Sequence, residues 1–180
     1  EIDLPPVMAK KEALLLENPV GVEALGRGNW QRVASDVRQV HIGRYIGDAR
    51  RAVCIAEGLF MYLTAEEQRA VWKQVAEGLG QSGSGLFLFD LVPKDEQPKP
   101  GLVGRLLEVA MKLFTKGRSF ETDSRGREAI RTELLAAGFE SVDLYEPSMV
   151  AEAWRLPYAN KASQQLIFAC NTPSQTGTFT

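Results

Sequence analysis

Residues 52–63, with the sequence AVCIAEGLFMYL, constrain the fold more than any other stretch of the chain. They begin as five apolar residues without alternation, break at Glu57 and Gly58, and continue apolar to Tyr62 before Thr64 opens a helix. A short uninterrupted apolar run predicts a strand buried on both faces of a parallel sheet. Glu57 would then lie at the carboxyl end of that strand, where open α/β sheets bind ligands. Glu57 is therefore the first candidate binding residue.

Strand and helix patterns alternate along the rest of the chain. The patterns predict strands at 1–4, 30–37, 52–56, 85–91, 141–145 and 165–170, and helices at 5–16, 64–79, 102–114 and 125–137. Between them the sequence predicts a loop at 21–29, a helical turn at 43–51 and a charged linker at 94–100. Alternation of this kind predicts an α/β fold, with a mostly parallel sheet and helices on both faces.

The length and composition fit one domain. With 180 residues, of which 44% are hydrophobic, the chain can bury one sizeable core. We expect a single domain over residues 1–172 and a polar tail at 173–180, and within the domain a helical substrate-covering insertion at 94–122. The apolar stripe of the helix at 102–114 has a second interpretation, an ordinary helix that faces the core.

The net charge and the lengths of the apolar runs argue against nucleic-acid and membrane partners, and the cysteines indicate a compartment. The net charge of −2 gives no basic surface for nucleic acid or for anionic lipid. No apolar run approaches the 18 residues that a membrane-spanning helix needs. Cys54 and Cys170 both lie in apolar strand segments, where a buried reduced thiol is more frequent than a disulfide. Reduced thiols indicate a cytoplasmic protein.

Four carboxylates lie at or just beyond the carboxyl ends of four successive predicted strands. They are Asp3, Asp36, Glu57 and Asp90. One acid in such a position has an ordinary alternative role, because Asp often caps the helix that follows. Four in register are harder to explain by capping, because the carboxyl ends of parallel strands share one edge of the sheet.

An acidic edge selects a particular kind of ligand. It repels phosphate and attracts cations and hydroxyl or amine donors, and the sequence has no phosphate-binding G-x-x-x-x-G-K-[ST] motif or intact G-x-G-x-x-G. S-adenosylmethionine fits, because it carries a sulfonium, an ammonium, a ribose diol and the adenine amine. Mg²⁺ or Ca²⁺ is the alternative ligand, but the acids are separated by whole strands without a metal-loop spacing. No metal site is therefore predicted.

Five segments resemble one enzyme family. EIDLP, MAKK, SDV, AEGLFMYLTAEE and LFLFD are similar to the leucine carboxyl methyltransferases and their bacterial relatives, which include polyketide O-methyltransferases. The resemblance runs from residue 1 to about residue 90, and more loosely to residue 170. Its most specific part is the EG-x-x-x-YL block at 57–63. It implies a class I S-adenosylmethionine-dependent methyltransferase, with a Rossmann-like fold and an antiparallel last strand.

The resemblance also implies roles for individual residues. Asp3 matches the acid that holds the cofactor ribose, and Asp36 with Val37 matches the pair that lies against adenine. Glu57 matches the acid beside the methyl donor. Tyr62 falls in the same block, where a substrate contact and a packing aromatic under the cleft are both open.

One family motif is absent from the sequence. The glycine-rich first motif of the family precedes its EIDLP segment, and its strand would lie between the strands at 1–4 and 52–56. We therefore expect the first strand and the N-terminal helices to be missing from this chain. The 180 residues would then be part of a longer enzyme.

The chemistry favours a carboxylate as methyl acceptor over a hydroxyl. A carboxylate is ionised at neutral pH and needs no general base, whereas a phenol gains from one, and the single histidine, His41, falls in a predicted loop. Catalytic residues are not predicted; candidates for an acceptor-binding cation are Arg38, Arg44, Arg105 and Arg118. The acceptor would be a small-molecule or peptide carboxylate. The alternatives are a non-catalytic methyltransferase-like binding module and a nicotinamide oxidoreductase, which the acidic edge disfavours.

Overall fold

The computed structural model describes residues 1–46, 49–97, 123–155 and 165–173. The chain forms two compact units, Glu1–His41 and Ile42–Thr180. The single domain over residues 1–172 stays a prediction. Most of the predicted insertion (98–122) and of the predicted tail (174–180) lies outside the described residues.

The first unit is built on two short parallel strands. Its elements are β1 (Ile2–Asp3), α1 (Pro5–Leu16), α2 (Pro19–Leu25) and β2 (Val33–Ala34). Asp3 lies opposite Ala34 in the ladder, and Ser35 donates its backbone N–H to the carbonyl of Asp3 at 2.8 Å. α1 has the predicted bounds, with prolines in its first turn, where a missing N–H costs no hydrogen bond.

The predicted loop at 21–29 is wrong in its first half, where α2 forms. The Asn18 side chain accepts a hydrogen bond from the N–H of Gly21 at 2.8 Å, and Pro19 is the first helical residue. Asn18 and Pro19 thus not only follow the end of α1 but also begin α2, as the cap and the first residue of that helix. A Cβ on Gly21 would lie 2.0 Å from the Leu15 carbonyl oxygen, so glycine is required where α1 and α2 meet.

The predicted strand at 30–37 is too long. β2 has two residues, and Asp36 then caps a 3₁₀ turn at Val37–Gln39 by accepting the N–H of Arg38 at 3.0 Å. A side-chain acceptor that bonds its own following backbone competes with the strand ladder. Asp36 still follows the carboxyl end of a strand.

The second unit contains a mixed four-stranded sheet. Its helices are α3 (Gly43–Ile46), α4 (Ala65–Gly80), α5 (Arg127–Ala136) and α6 (Pro147–Ala153). Its strands are β3 (Ala52–Ala56), β4 (Gly85–Leu91), β5 (Ser141–Tyr145) and β6 (Leu166–Asn171), and 3₁₀ turns lie at Phe60–Tyr62 and Lys94–Glu96. The strand order is β3-β4-β6-β5. β3 and β4 are parallel, and β6 is antiparallel to both its neighbours, which confirms the antiparallel last strand.

Helix α4 agrees closely with its prediction. Thr64 and Glu67 form a capping box, in which Thr64 Oγ1 accepts the N–H of Glu67 at 3.2 Å and Glu67 Oε2 accepts the N–H of Thr64 at 2.9 Å. The apolar face that the periodicity predicts is buried: Val71, Trp72, Val75 and Leu79. Gly78 lies inside this helix where the backbone of Gly43 comes close, since a Cβ on Gly78 would lie 2.9 Å from the Gly43 nitrogen.

The core of the second unit lies on the side of the sheet that α4 covers. Phe87 and Phe89 of β4 are buried beneath Trp72, and Phe60 packs on Phe89 with 4.9 Å between the ring centroids. Phe168 of β6 stacks on Phe89 at the same centroid distance. Edge and stacked contacts of this kind add to the stabilisation from burial. Phe89, which takes part in all three contacts, lies one residue before Asp90 of the candidate site.

The prediction that β3 is buried on both faces is wrong. Val53 is 60% exposed and Ile55 is 70% exposed, while Cys54 between them is largely covered. β3 is the terminal strand of the four-stranded sheet, so one of its faces has less cover than the face that packs on the core. A continuous apolar run cannot distinguish these two environments.

The two cysteines are free thiols. Cys54 lies opposite Phe87, which lies opposite Cys170, so a whole strand separates the two. Two strand spacings amount to about 9.6 Å, beyond the reach of a disulfide. Burial raises the pKa of Cys54 to about 11, and burial with the nearby Asp143 charge raises that of Cys170 to about 12.

Two further elements complete the comparison with the sequence. α5 begins at Arg127, two residues later than predicted, and Gly138 follows it with a φ of +114°, as expected for a glycine that ends a helix. α6 was not predicted at all. No helix within the described part of the chain has the length and hydropathy to cross a bilayer.

Candidate functional site

In the first unit, two of the predicted acids end neighbouring parallel strands. Asp3 is the last residue of β1, and Asp36 lies two residues beyond β2, its ladder partner. Asp3 Oδ1 accepts the N–H of Leu4 at 2.7 Å, at the entrance to α1. The structure therefore brings Asp3 and Asp36 to the same edge, where each also accepts a hydrogen bond from a following backbone N–H.

Arg38 holds the Asp36 carboxylate. Its Nε lies 2.9 Å from Oδ1 and its Nη2 lies 2.5 Å from Oδ2 of Asp36. Arg38 was a candidate partner for the acceptor carboxylate, but here it forms a bidentate pair within its own turn. Val37 lies between the two residues and is half-buried.

In the second unit, the other two acids end β3 and β4. Ala56 of β3 lies opposite Phe89 of β4 in the parallel ladder, and the next residue is Glu57 after the first and Asp90 after the second. Glu57 is exposed, while Asp90 is half-buried. Asp90 Oδ1 accepts the N–H of Gly58 at 2.6 Å. Glu57 therefore stands at the edge, on a turn that the neighbouring strand holds.

The turn that follows Glu57 carries one buried and one exposed aromatic side chain. Gln68 of α4 donates its Nε2–H to the carbonyl oxygens of Phe60 and Leu63, at 3.0 and 3.1 Å. Phe60 is fully buried, whereas Tyr62 is 65% exposed. Phe60 is thus a packing aromatic of this block, while most of the Tyr62 side chain is open to solvent.

A partly buried polar cluster of the second unit was missed from the sequence. We call it the Arg125 cluster, and its members are Gln68, Asp123, Arg125 and Glu133. The Arg125 side chain is only 9% exposed; it donates to all three other members, with 2.5 Å between its Nη2 and Asp123 Oδ2. Its guanidinium also lies 5.1 Å from the Trp72 ring centroid. No local pattern marks the contact between Arg125 and Gln68, because the two residues are 57 positions apart in the sequence.

Electrostatics within the Arg125 cluster favour the charged arginine. Burial by itself would lower the pKa of Arg125, but hydrogen bonds and charge interactions with Asp123 and Glu133 raise it above its ordinary value. The guanidinium of Arg125 is therefore held within the fold by two carboxylates and a side-chain amide. The Arg125 cluster leaves no cation for an acceptor.

The residues that precede and follow the segment 98–122 are hydrogen-bonded to each other. Gln97 donates its Nε2–H to the Asp123 carbonyl at 2.7 Å, and Lys94 donates its N–H to the Arg125 carbonyl at 2.9 Å. The flanks of the predicted insertion are thus joined to each other beside the Arg125 cluster. Arg105 and Arg118 lie outside the described residues, and Arg44 and His41 are exposed.

Residues 1–46, 49–97, 123–155 and 165–173 contain no group of three or more His, Cys, Asp or Glu arranged to hold a metal ion. The chemistry of the described edges is instead that of separate carboxylates and backbone groups. Such edges can accept hydrogen bonds from hydroxyls and amines and can attract a cation.

A family model of leucine carboxyl methyltransferase matches residues 1–76. This match confirms the predicted resemblance over the part of the chain that carries Asp3, Asp36, Glu57 and Tyr62. No curated protein sequence matches the chain.

Solved structures share the fold. A candidate O-methyltransferase from Nostoc punctiforme superposes with a TM-score of 0.58 and 12% identity, over 95% of this chain and 43% of that one. An O-methyltransferase family protein from Burkholderia thailandensis superposes with a TM-score of 0.56 and 16% identity, over 97% of this chain and 43% of that one. PigF with S-adenosylhomocysteine superposes with a TM-score of 0.53 and 13% identity, over 96% of this chain and 42% of that one. The chain therefore has the Rossmann-like fold of class I methyltransferases and spans less than half the length of these three structures.

Proposed function

We propose that this chain is part of an S-adenosylmethionine-dependent O-methyltransferase. The observation that carries the proposal is the placement of Glu57. The match to the methyltransferase family model includes it, and the fold sets it as an exposed carboxylate at the carboxyl end of β3. An exposed acid at this edge suits a ligand that carries positive charge.

The family resemblance assigns each cofactor-binding role residue by residue. Asp3 would accept the ribose hydroxyls, Asp36 with Val37 would contact adenine, and Glu57 would lie beside the methyl donor. S-adenosylmethionine supplies an activated methyl group on a sulfonium.

The protein contributes alignment and charge to such a transfer. Glu57 would attract the positive charge of the bound cofactor, and the hydrogen bond from Gly58 to Asp90 would hold its turn. Tyr62 is exposed on the following turn and would contact the acceptor. No residue needs to remove a proton when the acceptor is a carboxylate, because it is ionised at neutral pH.

The methyl acceptor in this proposal is a carboxylate oxygen, or a hydroxyl oxygen, of a small molecule or of a protein C-terminus. A substrate-covering role for residues 94–122 is supported by the joined flanks at Gln97 and Asp123, which let the segment leave and re-enter the chain fold at one place. Cytoplasmic localisation is supported by the two free, well-separated thiols.

Calorimetric titration of S-adenosylhomocysteine into the intact natural protein tests cofactor binding. We expect binding by the wild type that Glu57→Ala abolishes or weakens at least tenfold. Glu77→Ala is the matched control, since Glu77 is an exposed glutamate of α4 whose 3.8 Å contact with Lys73 contributes little. A folded wild type that produces no heat would contradict the proposal and favour the non-catalytic binding module.

The type of acceptor oxygen has its own test. Methyl-labelled S-adenosylmethionine is incubated with the protein and candidate acceptors, and the product is then treated with mild base. A carboxyl methyl ester releases labelled methanol, whereas a methyl ether retains its label. Release is the expected result, and retention would assign a hydroxyl acceptor instead.

A further inference from the structure

Resting on the proposed function, we infer that Asp90 is a positioning residue for Glu57. Its carboxylate fixes the turn at Glu57 and Gly58, so that the Glu57 carboxylate is directed at the positive charge of the cofactor. Asp90 itself would not need to touch the cofactor. The family resemblance assigns no role to Asp90, and the inference depends on its contacts in the second unit.

The sheet register places Asp90 beside Glu57. Ile55 lies opposite Leu88 and Ala56 opposite Phe89, so Glu57 and Asp90 follow on adjacent parallel strands. Along β4, Phe87 and Phe89 are buried in the aromatic core, whereas Leu88 and Asp90 alternate with them and are half-buried. Asp90 therefore points away from the aromatic core.

Both oxygens of Asp90 have long-range partners. Oδ1 accepts the N–H of Gly58 at 2.6 Å, and Oδ2 accepts Nε2–H of Gln165 at 2.8 Å. These partners are 32 and 75 residues away in the sequence, so the carboxylate joins the end of β3, the end of β4 and the residue before β6. Hydrogen bonds to an ionised acceptor are among the stronger ones in proteins.

The turn at Gly58 depends on this hydrogen bond. Gly58 has a φ of +63°, in the left-handed region, and a Cβ built on it would meet nothing within 4 Å. Packing on that side therefore does not hold the turn, and glycine itself gives it little stiffness. Without the acceptor from Asp90, the Glu57 backbone would sample other conformations.

The direction of the Glu57 side chain matters because charge interactions fall with distance. S-adenosylmethionine carries a sulfonium charge that S-adenosylhomocysteine lacks. The affinity for the first relative to the second therefore reports whether a carboxylate lies near the sulfur. A purely structural change lowers both affinities together and leaves this ratio unchanged.

Dissociation constants of both compounds, measured by calorimetry on the intact natural protein, test the inference. Glu57→Gln should lower the affinity for S-adenosylmethionine relative to S-adenosylhomocysteine by about fivefold. Asp90→Ala should give a similar shift, and none when added to Glu57→Gln. Asp90→Asn should keep the wild-type ratio, because its amide oxygen can accept from Gly58 and the Gln165 amide can turn to accept its N–H.

The outcomes separate the competing explanations. An unchanged ratio in Asp90→Ala would overturn the inference alone, and an Asp90→Asn ratio that falls as far as that of Asp90→Ala would show that the charge acts directly. If Asp90→Ala fails to fold, Asp90→Ser replaces it, because its shorter side chain does not reach the Gly58 N–H and the same shift is expected, and an unchanged ratio in Asp90→Ser would overturn the inference. A folded wild type that binds neither compound would overturn the proposed function and the inference with it.

Discussion

The second unit contains two polar regions that use the same residue types in opposite ways. In the Arg125 cluster the charges face each other: the arginine side chain is 9% exposed and that of Asp123 is 3% exposed. At the Glu57 turn, the hydrogen bonds hold the backbone and leave the glutamate side chain exposed. Buried charges that neutralise each other serve the fold, whereas a held but exposed charge can serve a ligand.

Removing the cation of the Arg125 cluster should have the largest effect. Arg125→Met leaves two acidic side chains without their main partner, Asp123 in a buried position, and should lower the free energy of unfolding by about 3–5 kcal/mol. Urea unfolding measures it. Arg69→Met is the matched control, because Arg69 also contacts Glu133, at 3.3 Å, but is half exposed and should cost less than about 1 kcal/mol. Equal losses in the two variants would break the comparison.

Raising the pH tests the difference in burial between Cys54 of β3 and Glu57, which follows the same strand and is exposed. The folded-state pKa of Cys54 is raised to about 11, so the unfolded chain loses its proton first as the pH rises above about 9. Its contribution to stability should be intact below pH 9 and fall by roughly 3 kcal/mol by pH 11. Denaturant unfolding between pH 8 and 11 should show a shallower decline for Cys54→Ala, and an unchanged decline would contradict the burial of this thiol.

The backbone of the Glu57 turn offers a smaller effect. Gly58→Ala introduces no clash but forces a side chain into a φ of +63°, which should cost about 1–2 kcal/mol. Gly80→Ala is the control, since a Cβ there also meets nothing within 4 Å and Gly80 has helical backbone; it should be neutral or slightly stabilising. Thermal unfolding compares the two. Identical melting temperatures would mean that the turn is not strained by a side chain.

The exposed carboxylate itself should matter least for stability. Glu57→Gln should change the free energy of unfolding by no more than about 0.5 kcal/mol, as is usual for exposed positions. Urea unfolding beside the wild type measures it. A loss above 2 kcal/mol would place Glu57 with the structural charges and remove the distinction between the two regions.

Local patterns were sufficient for much of the fold. The capping box at Thr64 and the apolar stripe through Trp72 predicted α4, and uninterrupted apolar runs predicted β3 and β4 with the observed bounds. The four acids lie at or just beyond the carboxyl ends of their strands, as predicted, because that position depends only on where each strand ends. The family resemblance supplied the roles of these acids, which no pattern of spacing contains.

The remaining features depend on contacts between distant residues. The exposure of Val53 and Ile55 depends on which strands flank β3, and the partners of Arg125 come from α4, α5 and the residues before α5. The Asn18 and Pro19 pair is compatible with both the end of one helix and the start of the next. Sequence periodicity carries no information on these choices.

A crystal structure of the intact natural protein with S-adenosylhomocysteine tests the central claim most directly. The account predicts the ligand at the carboxyl end of β3, with the Glu57 side chain in contact with the aminoacyl or sulfur end and Asp3 in contact with the ribose. Asp90 would keep its hydrogen bond to Gly58. A ligand bound elsewhere, or one that leaves Glu57 without contact, would contradict the assignment of this edge as the cofactor site.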